Sequence, residues 1–153
     1  MDGTQWILGD GMNQKIYLDH IGIATNNLDE SSKFWNLIGL FQADSDEVVE
    51  EQGVKTRFFS TTKQDSETNS PKIELLEPTG LTTPIGKFLH KRGPGVQQIC
   101  FRVENLVGMI SLLKENSILM IDDEPRIGAG GKSIAFVHPK STGGVLVELT
   151  QYE

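Results

Sequence analysis

Cysteine is almost missing from this 153-residue chain. Cys100 is the only one, so no intrachain disulfide can form and nothing points to an oxidising compartment. Long apolar runs are missing too. No segment reaches the roughly 18 apolar residues of a membrane span. Residues 1–15 lack the basic start and apolar centre of a secretion signal, so the expected location is the cytoplasm. Positive charge is in the minority, 14 Lys and Arg against 21 Asp and Glu, giving a formal net charge of −7. That balance argues against nucleic acid or an anionic membrane as partner, since both require a basic field. An anionic small molecule is still allowed, because Lys87, Lys91, Arg92 and Lys132 can form a local positive patch. No Ser/His/Asp or Cys/His set stands in convincing context, and Cys100, inside an apolar run, reads as a small buried hydrophobe.

What the chain does have is a repeat. Asp19-His20-Ile21-Gly22-Ile23-Ala24 opens one half and Gln97-Gln98-Ile99-Cys100-Phe101-Arg102 opens the other. An Asn-Leu pair follows each, Asn27-Leu28 and Asn105-Leu106, and starts a helical pattern. Each half closes on a strand bearing a glutamate, Ile73-Glu74-Leu75-Leu76 and Val147-Glu148-Leu149.

The periodicity predicts strands over residues 16–25, 41–51, 54–60 and 72–76, with a helix after an Asn27 cap that pairs with Glu30. Phe34, Leu37 and Ile38 supply that helix's apolar stripe, and Gly39 ends it. Residues 61–70 form a polar loop, and a helix at 84–91 links the halves. The second half repeats the order, with strands at 96–103, 118–121, 133–137 and 145–149. Its helix, 106–115, turns Met109, Ile110 and Leu113 inward, and Gly143-Gly144 marks a tight turn. Residues 1–15 read as an extension with a short edge strand near Trp6-Ile7-Leu8. The fold class is α+β, one domain over 16–153 built from two βαβββ modules, 16–78 and 96–152.

Alternation puts His20, Gly22 and Ala24 on one strand face, leaving space beside the imidazole. His20, Glu74, Gln98 and Glu148 occupy matched places in the two modules. Burying two carboxylates together is costly unless a cation neutralises them. One imidazole, one amide and two carboxylates suit Co, Mn, Ni or Zn in an open site better than a closed structural zinc site. Gly128-Ala129-Gly130-Gly131-Lys132-Ser133 is not a phosphate loop, because a strand follows it and Arg126 stands where that motif needs glycine. It reads as a glycine-rich turn with Lys132 within reach of an anion. His138 reads as a surface strand end, and His90, Lys91 and Arg92 as the basic end of a helix.

Four segments carry a resemblance. They are Leu18-Asp19-His20-Ile21-Gly22-Ile23-Ala24, Lys72-Ile73-Glu74-Leu75-Leu76-Glu77-Pro78, Asp123-Glu124-Pro125-Arg126-Ile127-Gly128, and His138-Pro139-Lys140-Ser141 with Gly144-Val145-Leu146-Val147-Glu148-Leu149. Together they resemble the vicinal oxygen chelate superfamily over residues 16–152, and the last resembles its methylmalonyl-CoA epimerase branch. The resemblance implies a cupped mixed sheet around one divalent metal ion, Co2+ first, then Mn2+, Ni2+ or Zn2+. It also implies a homodimer and an acyl-CoA substrate epimerised through an enolate. The metal ligands it implies are His20, Glu74, Gln98 and Glu148, with Glu148 also an acid/base group. The chain departs from that branch twice. Gln97-Gln98 stands where His-His is common, and Thr56 stands where some members place a catalytic glutamate, leaving Glu50, Glu51 or Glu74 to serve. The competing readings are a lactoylglutathione lyase (glyoxalase I)-type enzyme and a non-catalytic small-molecule-binding member.

Overall fold

The computed structural model describes residues 14–63 and 69–152. The edge strand expected near Trp6 and the middle of the 61–70 loop lie outside them. The first half runs β1 (Tyr17–Ala24), α1 (Leu28–Leu37), β2 (Phe41–Gln42), β3 (Glu47–Val49), β4 (Val54–Ser60) and β5 (Lys72–Pro78). Helix α2 (Pro84–Arg92) leads to the second half: β6 (Gly95–Arg102), α3 (Leu106–Glu115), β7 (Arg126–Ile127), β8 (Ser133–Val137) and β9 (Val147–Gln151). All strands join one mixed sheet in the order β2-β4-β5-β1-β6-β9-β8-β7, with β3 paired to β4. The two modules meet at its centre, where β1 and β6 pair antiparallel; each also has a parallel neighbour, β5 and β9.

The helix starts follow the sequence. Asn27 caps α1 by accepting from the Glu30 N–H at 3.0 Å. Its own N–H donates to Thr25 Oγ1, not to the Glu30 side chain expected to pair with it. Asn105 caps α3 by accepting from the Gly108 N–H at 3.0 Å. Helix α3 buries Ile110 over Val137 and Leu149, with Met109 and Leu113 packed beside it as expected. At Gly143 and Gly144 both φ angles are positive, which suits the tight turn before β9.

Three further expectations fail. The stripe of Phe34, Leu37 and Ile38 on α1 is exposed, and the helix buries Leu28 and Ser32 instead. Polar anchoring turns the helix this way. The Ser32 hydroxyl donates to the Leu28 carbonyl and accepts from Arg57 Nη1 at 2.9 Å, while Leu28 packs with Phe59 and Leu75. The strand expected over 41–51 breaks into β2, β3 and a 3-10 turn at Glu50–Gln52, with Asp46 drawn onto Arg57 between the two strands. The strand expected over 118–121 reduces to a single bridge, Met120 to Val137, and β7 takes the edge beside β8 instead.

Arg57 is the polar anchor of the first module. It meets Asp46 with two parallel bonds of 2.7 and 2.8 Å and reaches Asp29 at 3.0 Å. Its hydrogen bonds hold the Asp46 carboxyl below the usual aspartate range. Arg57→Ala strands these partners and is expected to lower unfolding free energy by about 3 kcal/mol in urea titration. Asp29→Ala, which removes an exposed partner, is expected to cost under about 1 kcal/mol. Because Asp46 is depressed, its contribution is complete above pH ~4 and fades on acidification below that.

Candidate metal centre

The sheet register builds the site from two adjacent rows. In one row Glu74 on β5 and Gln98 on β6 flank Gly22 on β1. In the other, His20 on β1 and Glu148 on β9 flank Cys100 on β6. Each row thus places two polar side chains around a small central residue, and exchanging the modules converts one row into the other. The small centre is a steric requirement. A Cβ on Gly22 would sit 2.5 Å from Cγ of Gln98 and 3.1 Å from Cδ1 of Leu76.

All four side chains predicted from the sequence converge, and each residue is at most 6% exposed. Nε2 of His20 faces Glu74 Oε2 at 3.2 Å and Glu148 Oε2 at 3.5 Å. The Gln98 amide nitrogen lies 3.5 Å from the same Nε2 and donates to Glu148 Oε2 at 2.5 Å. Turning that amide over is isosteric and would present its oxygen to the same point. His20, Glu74 and Glu148 line a cavity of about 20 Å3, large enough for one water or ion, with Lys132 and Ala129 of the glycine-rich turn on its wall. That turn is held across the modules, since the Gly130 N–H donates to both carboxylate oxygens of Glu47.

Asp19 and Tyr152 escaped the sequence reading. Asp19 Oδ2 lies 2.6 Å from Nδ1 of His20, and the Tyr152 hydroxyl donates to Asp19 Oδ1. The pair fixes the ring and its tautomer, so that Nε2 is the nitrogen aimed into the cavity. Lys132 Nζ sits 3.9 Å from the centre of the Tyr152 ring. An acidic residue directly before the histidine was the available signal; Tyr152, at the far end of the chain, offered none.

Asp19, His20 and Cys100 also place donor atoms within 4.8 Å of one another. That trio is the poorer metal site, because Asp19 is engaged by Nδ1 and Tyr152, and burial pushes the Cys100 thiol up to about 12. Burial alone would lower the His20 imidazolium. Hydrogen bonds to Asp19, Cys100 and Glu148, with the charge of Glu74, raise it well above the usual histidine value instead. Burial pushes Glu74 up to about 7; the His20 charge opposes this and the Glu148 charge adds to it. Carboxylates enclosed this tightly call for positive charge, and a divalent cation meeting one nitrogen and three oxygens satisfies them. The donor set therefore fits the group that the fold implies.

Two larger cavities share Gln98 with this centre. One, of about 170 Å3, is lined by Gln98, Glu51, Arg126 and apolar side chains including Leu76 and Phe136. The other, of about 470 Å3, runs along α2 and shares Pro84, Gln97, Gln98 and Leu146 with the first. Thr56 reaches neither; it is 1% exposed and its hydroxyl donates to the Glu47 carbonyl. His138 accepts from the Lys140 N–H as a local cap, and His90 is exposed at the end of α2.

The profile of the Glyoxalase/Bleomycin resistance protein/Dioxygenase superfamily matches residues 19–136. The mitochondrial methylmalonyl-CoA epimerase of Dictyostelium discoideum is 40% identical over 137 residues, covering 88% of this chain and 77% of that protein. The crystal structure of methylmalonyl-CoA epimerase from Mycobacterium tuberculosis superposes with a TM-score of 0.81 at 32% identity, covering 90% of this chain and 88% of that one. A methylmalonyl-CoA epimerase solved in complex with methylmalonyl-CoA and NH4+ gives a TM-score of 0.80 at 35% identity, with 88% and 93% covered.

Gly22→Ala is expected to displace Gln98 and weaken Co2+ binding about 10- to 100-fold, read by calorimetry, while the fold survives by circular dichroism. Affinity in the wild type is expected to fall as pH drops, because protons on His20 and Glu74 compete with the cation. A pH-independent affinity would show that neither His20 nor Glu74 is a ligand.

Proposed function

The chain belongs to the Glyoxalase/Bleomycin resistance protein/Dioxygenase superfamily, and from that premise we propose that it is a methylmalonyl-CoA epimerase. One observation carries this reading: two buried glutamates, a glutamine and a histidine converge in a fold 35% identical to an epimerase solved with methylmalonyl-CoA. The same observation favours the epimerase over a lactoylglutathione lyase or a silent binding protein.

His20, Glu74, Gln98 and Glu148 would hold the divalent cation, with Co2+ first among Co2+, Mn2+, Ni2+ and Zn2+ for this mixed donor set. The cation supplies Lewis-acid stabilisation of negative charge developing on the substrate's carbonyl oxygens. The chain's own residues do the rest. Asp19 keeps the His20 ring oriented, and Gly22 leaves space for Gln98. The apolar walls of the inner cavity limit water around the reacting carbon.

Inverting a carbon between two carbonyl groups needs a proton acceptor on one face and a proton donor on the other. Glu148 serves one face. Glu51 serves the other, since it shares the inner cavity with Gln98, which in turn bonds Glu148. Thr56, sealed in the sheet, has no part in this. Glu74, enclosed beside His20, is assigned to holding the cation before acid/base work. A homodimer belongs to the same reading and is supported by the exposed apolar Phe34, Leu37 and Ile38 on α1. No helix among the described residues is long and apolar enough to cross a membrane. A cytoplasmic location fits a charged CoA thioester that cannot cross one unaided.

The test is proton NMR of methylmalonyl-CoA in D2O with Co2+-loaded protein. Loss of the α-proton signal far above the spontaneous rate is expected, and no exchange would sink the assignment. Glu148→Gln is expected to slow exchange by about 10²–10⁴. Glu51→Gln is expected to keep exchange from one epimer and lose it from the other. Equal exchange from both would remove Glu51 from the pair.

A further inference from the structure

The strand order puts β3, paired to β4, beside one end of the sheet and the β7–β8 hairpin at the other. Elements so far apart in the order touch only where the sheet closes on itself. These two do touch. The Glu47 side chain on β3 reaches the glycine-rich turn between β7 and β8. It accepts from the Gly130 N–H at 3.0 Å through Oε1 and at 2.9 Å through Oε2. Among the described residues no backbone ladder joins the two ends, so a side chain closes what strand pairing leaves open.

Both sides of the contact are prepared for it. The turn's own bonds use the N–H groups of Gly128, Gly131 and Lys132 and leave that of Gly130 for Glu47. Gly130 and Gly131 take positive φ angles of 69° and 71°, which suit glycine. A Cβ on Gly128 would lie 2.8 Å from Cγ2 of Ile134, on which the turn sits. Across the contact, Glu47 stands opposite Thr56 on β4. The Thr56 hydroxyl, sealed in the sheet, donates to the Glu47 carbonyl at 3.4 Å, so the exposed carboxylate projects from an anchored backbone.

What the contact closes is the cation cavity. Ala129 and Lys132 from the turn line it beside His20, Glu74 and Glu148, as does Gln52 from the 3-10 turn that follows β3. Ala129 also packs against the first-module cluster that contains Val49, Val54 and Leu76. If the turn lifts, the wall formed by Ala129 and Lys132 goes with it. The polar restraint on that movement is a single N–H shared by two carboxylate oxygens at an exposed position, where water can replace it.

We propose that Glu47 is a positioning residue that clasps the glycine-rich turn over the cation cavity, so that its release sets the rate at which a divalent cation enters and leaves. It touches neither cation nor substrate and acts through the Gly130 N–H on Ala129 and Lys132. The proposal rests on the reading of His20, Glu74, Gln98 and Glu148 as the cation's ligands, and not on the epimerase chemistry. A clasp of this kind alters entry and exit together. The donor set is untouched, so affinity is nearly preserved while exchange speeds up.

The experiment loads the wild type, Glu47→Ala, Glu47→Gln and Glu47→Asp with Co2+. It measures the dissociation rate into excess chelator, the Kd by calorimetry, and hydrogen exchange at residues 129–132 in the metal-free protein. Glu47→Ala is expected to release Co2+ about tenfold faster, with Kd changed less than about threefold and faster exchange at the Gly130 amide. Glu47→Gln keeps one acceptor oxygen and is expected to restore slow release in part, whereas the shorter Glu47→Asp is not. Glu115→Gln, exposed at the end of α3, controls for the loss of a surface charge, and thermal melting checks the fold. An unchanged release rate, or a Gly130 amide no less protected, would overturn the proposal. So would a Kd that rises in step with the release rate, since that marks a damaged site and not a faster gate. A wild type that takes up no Co2+ would overturn the ligand reading and this proposal together. Faster release from Glu47→Ala, in a protein that shows no α-proton exchange, would support the clasp and overturn the epimerase reading alone.

Discussion

Two glutamates, Glu74 from one module and Glu148 from the other, approach Nε2 of His20 to 3.2 and 3.5 Å in a setting nearly closed to water. Burying that much negative charge is unfavourable unless something positive shares the space. Asp19 on the opposite nitrogen of His20 favours the charged imidazolium, and burial raises Glu74 above the usual glutamate range. A divalent cation would supply the positive charge that this enclosure calls for, and the surrounding structure holds the four side chains in place for it.

The sheet is the main restraint. A one-residue slip of β1 against β6 would send His20 to the face covered by α1 and α3 and break both rows of the site. The register is held by the apolar side chains on that helical face, Leu75 and Phe59 under α1 and Leu149 and Ala135 under α3. Packing on one face of the sheet therefore fixes chemistry on the other. Gly22 and Cys100, the small residues at the centre of the rows, are where this coupling is tightest, since their size decides whether the neighbouring side chains can meet.

Around that centre polarity is graded. The carboxylates are innermost, a largely apolar cavity follows, and the cationic groove of α2 lies outside. The gradient suits a substrate whose reactive end is handled in a dry, charge-stabilising environment and whose carrier end remains in contact with solvent.

Much of this was legible in the chain itself. The paired motifs around His20 and Gln98, with Glu74 and Glu148 closing each half, announced the two-module α+β fold and the four converging side chains, because strand alternation and repetition are local properties that survive without tertiary information. The asparagine caps of α1 and α3 were equally readable. The face that α1 buries was not, because the Arg57 network with Asp29, Asp46 and Ser32, assembled from distant positions, overrides the helix's own apolar stripe. Nor could the sequence show that Tyr152 orients His20 through Asp19, that Thr56 is sealed away while Glu51 faces the inner cavity, or that Gln97 sits at the mouth of a basic groove. Such contacts depend on which strands become neighbours, and only long-range sheet pairing decides that.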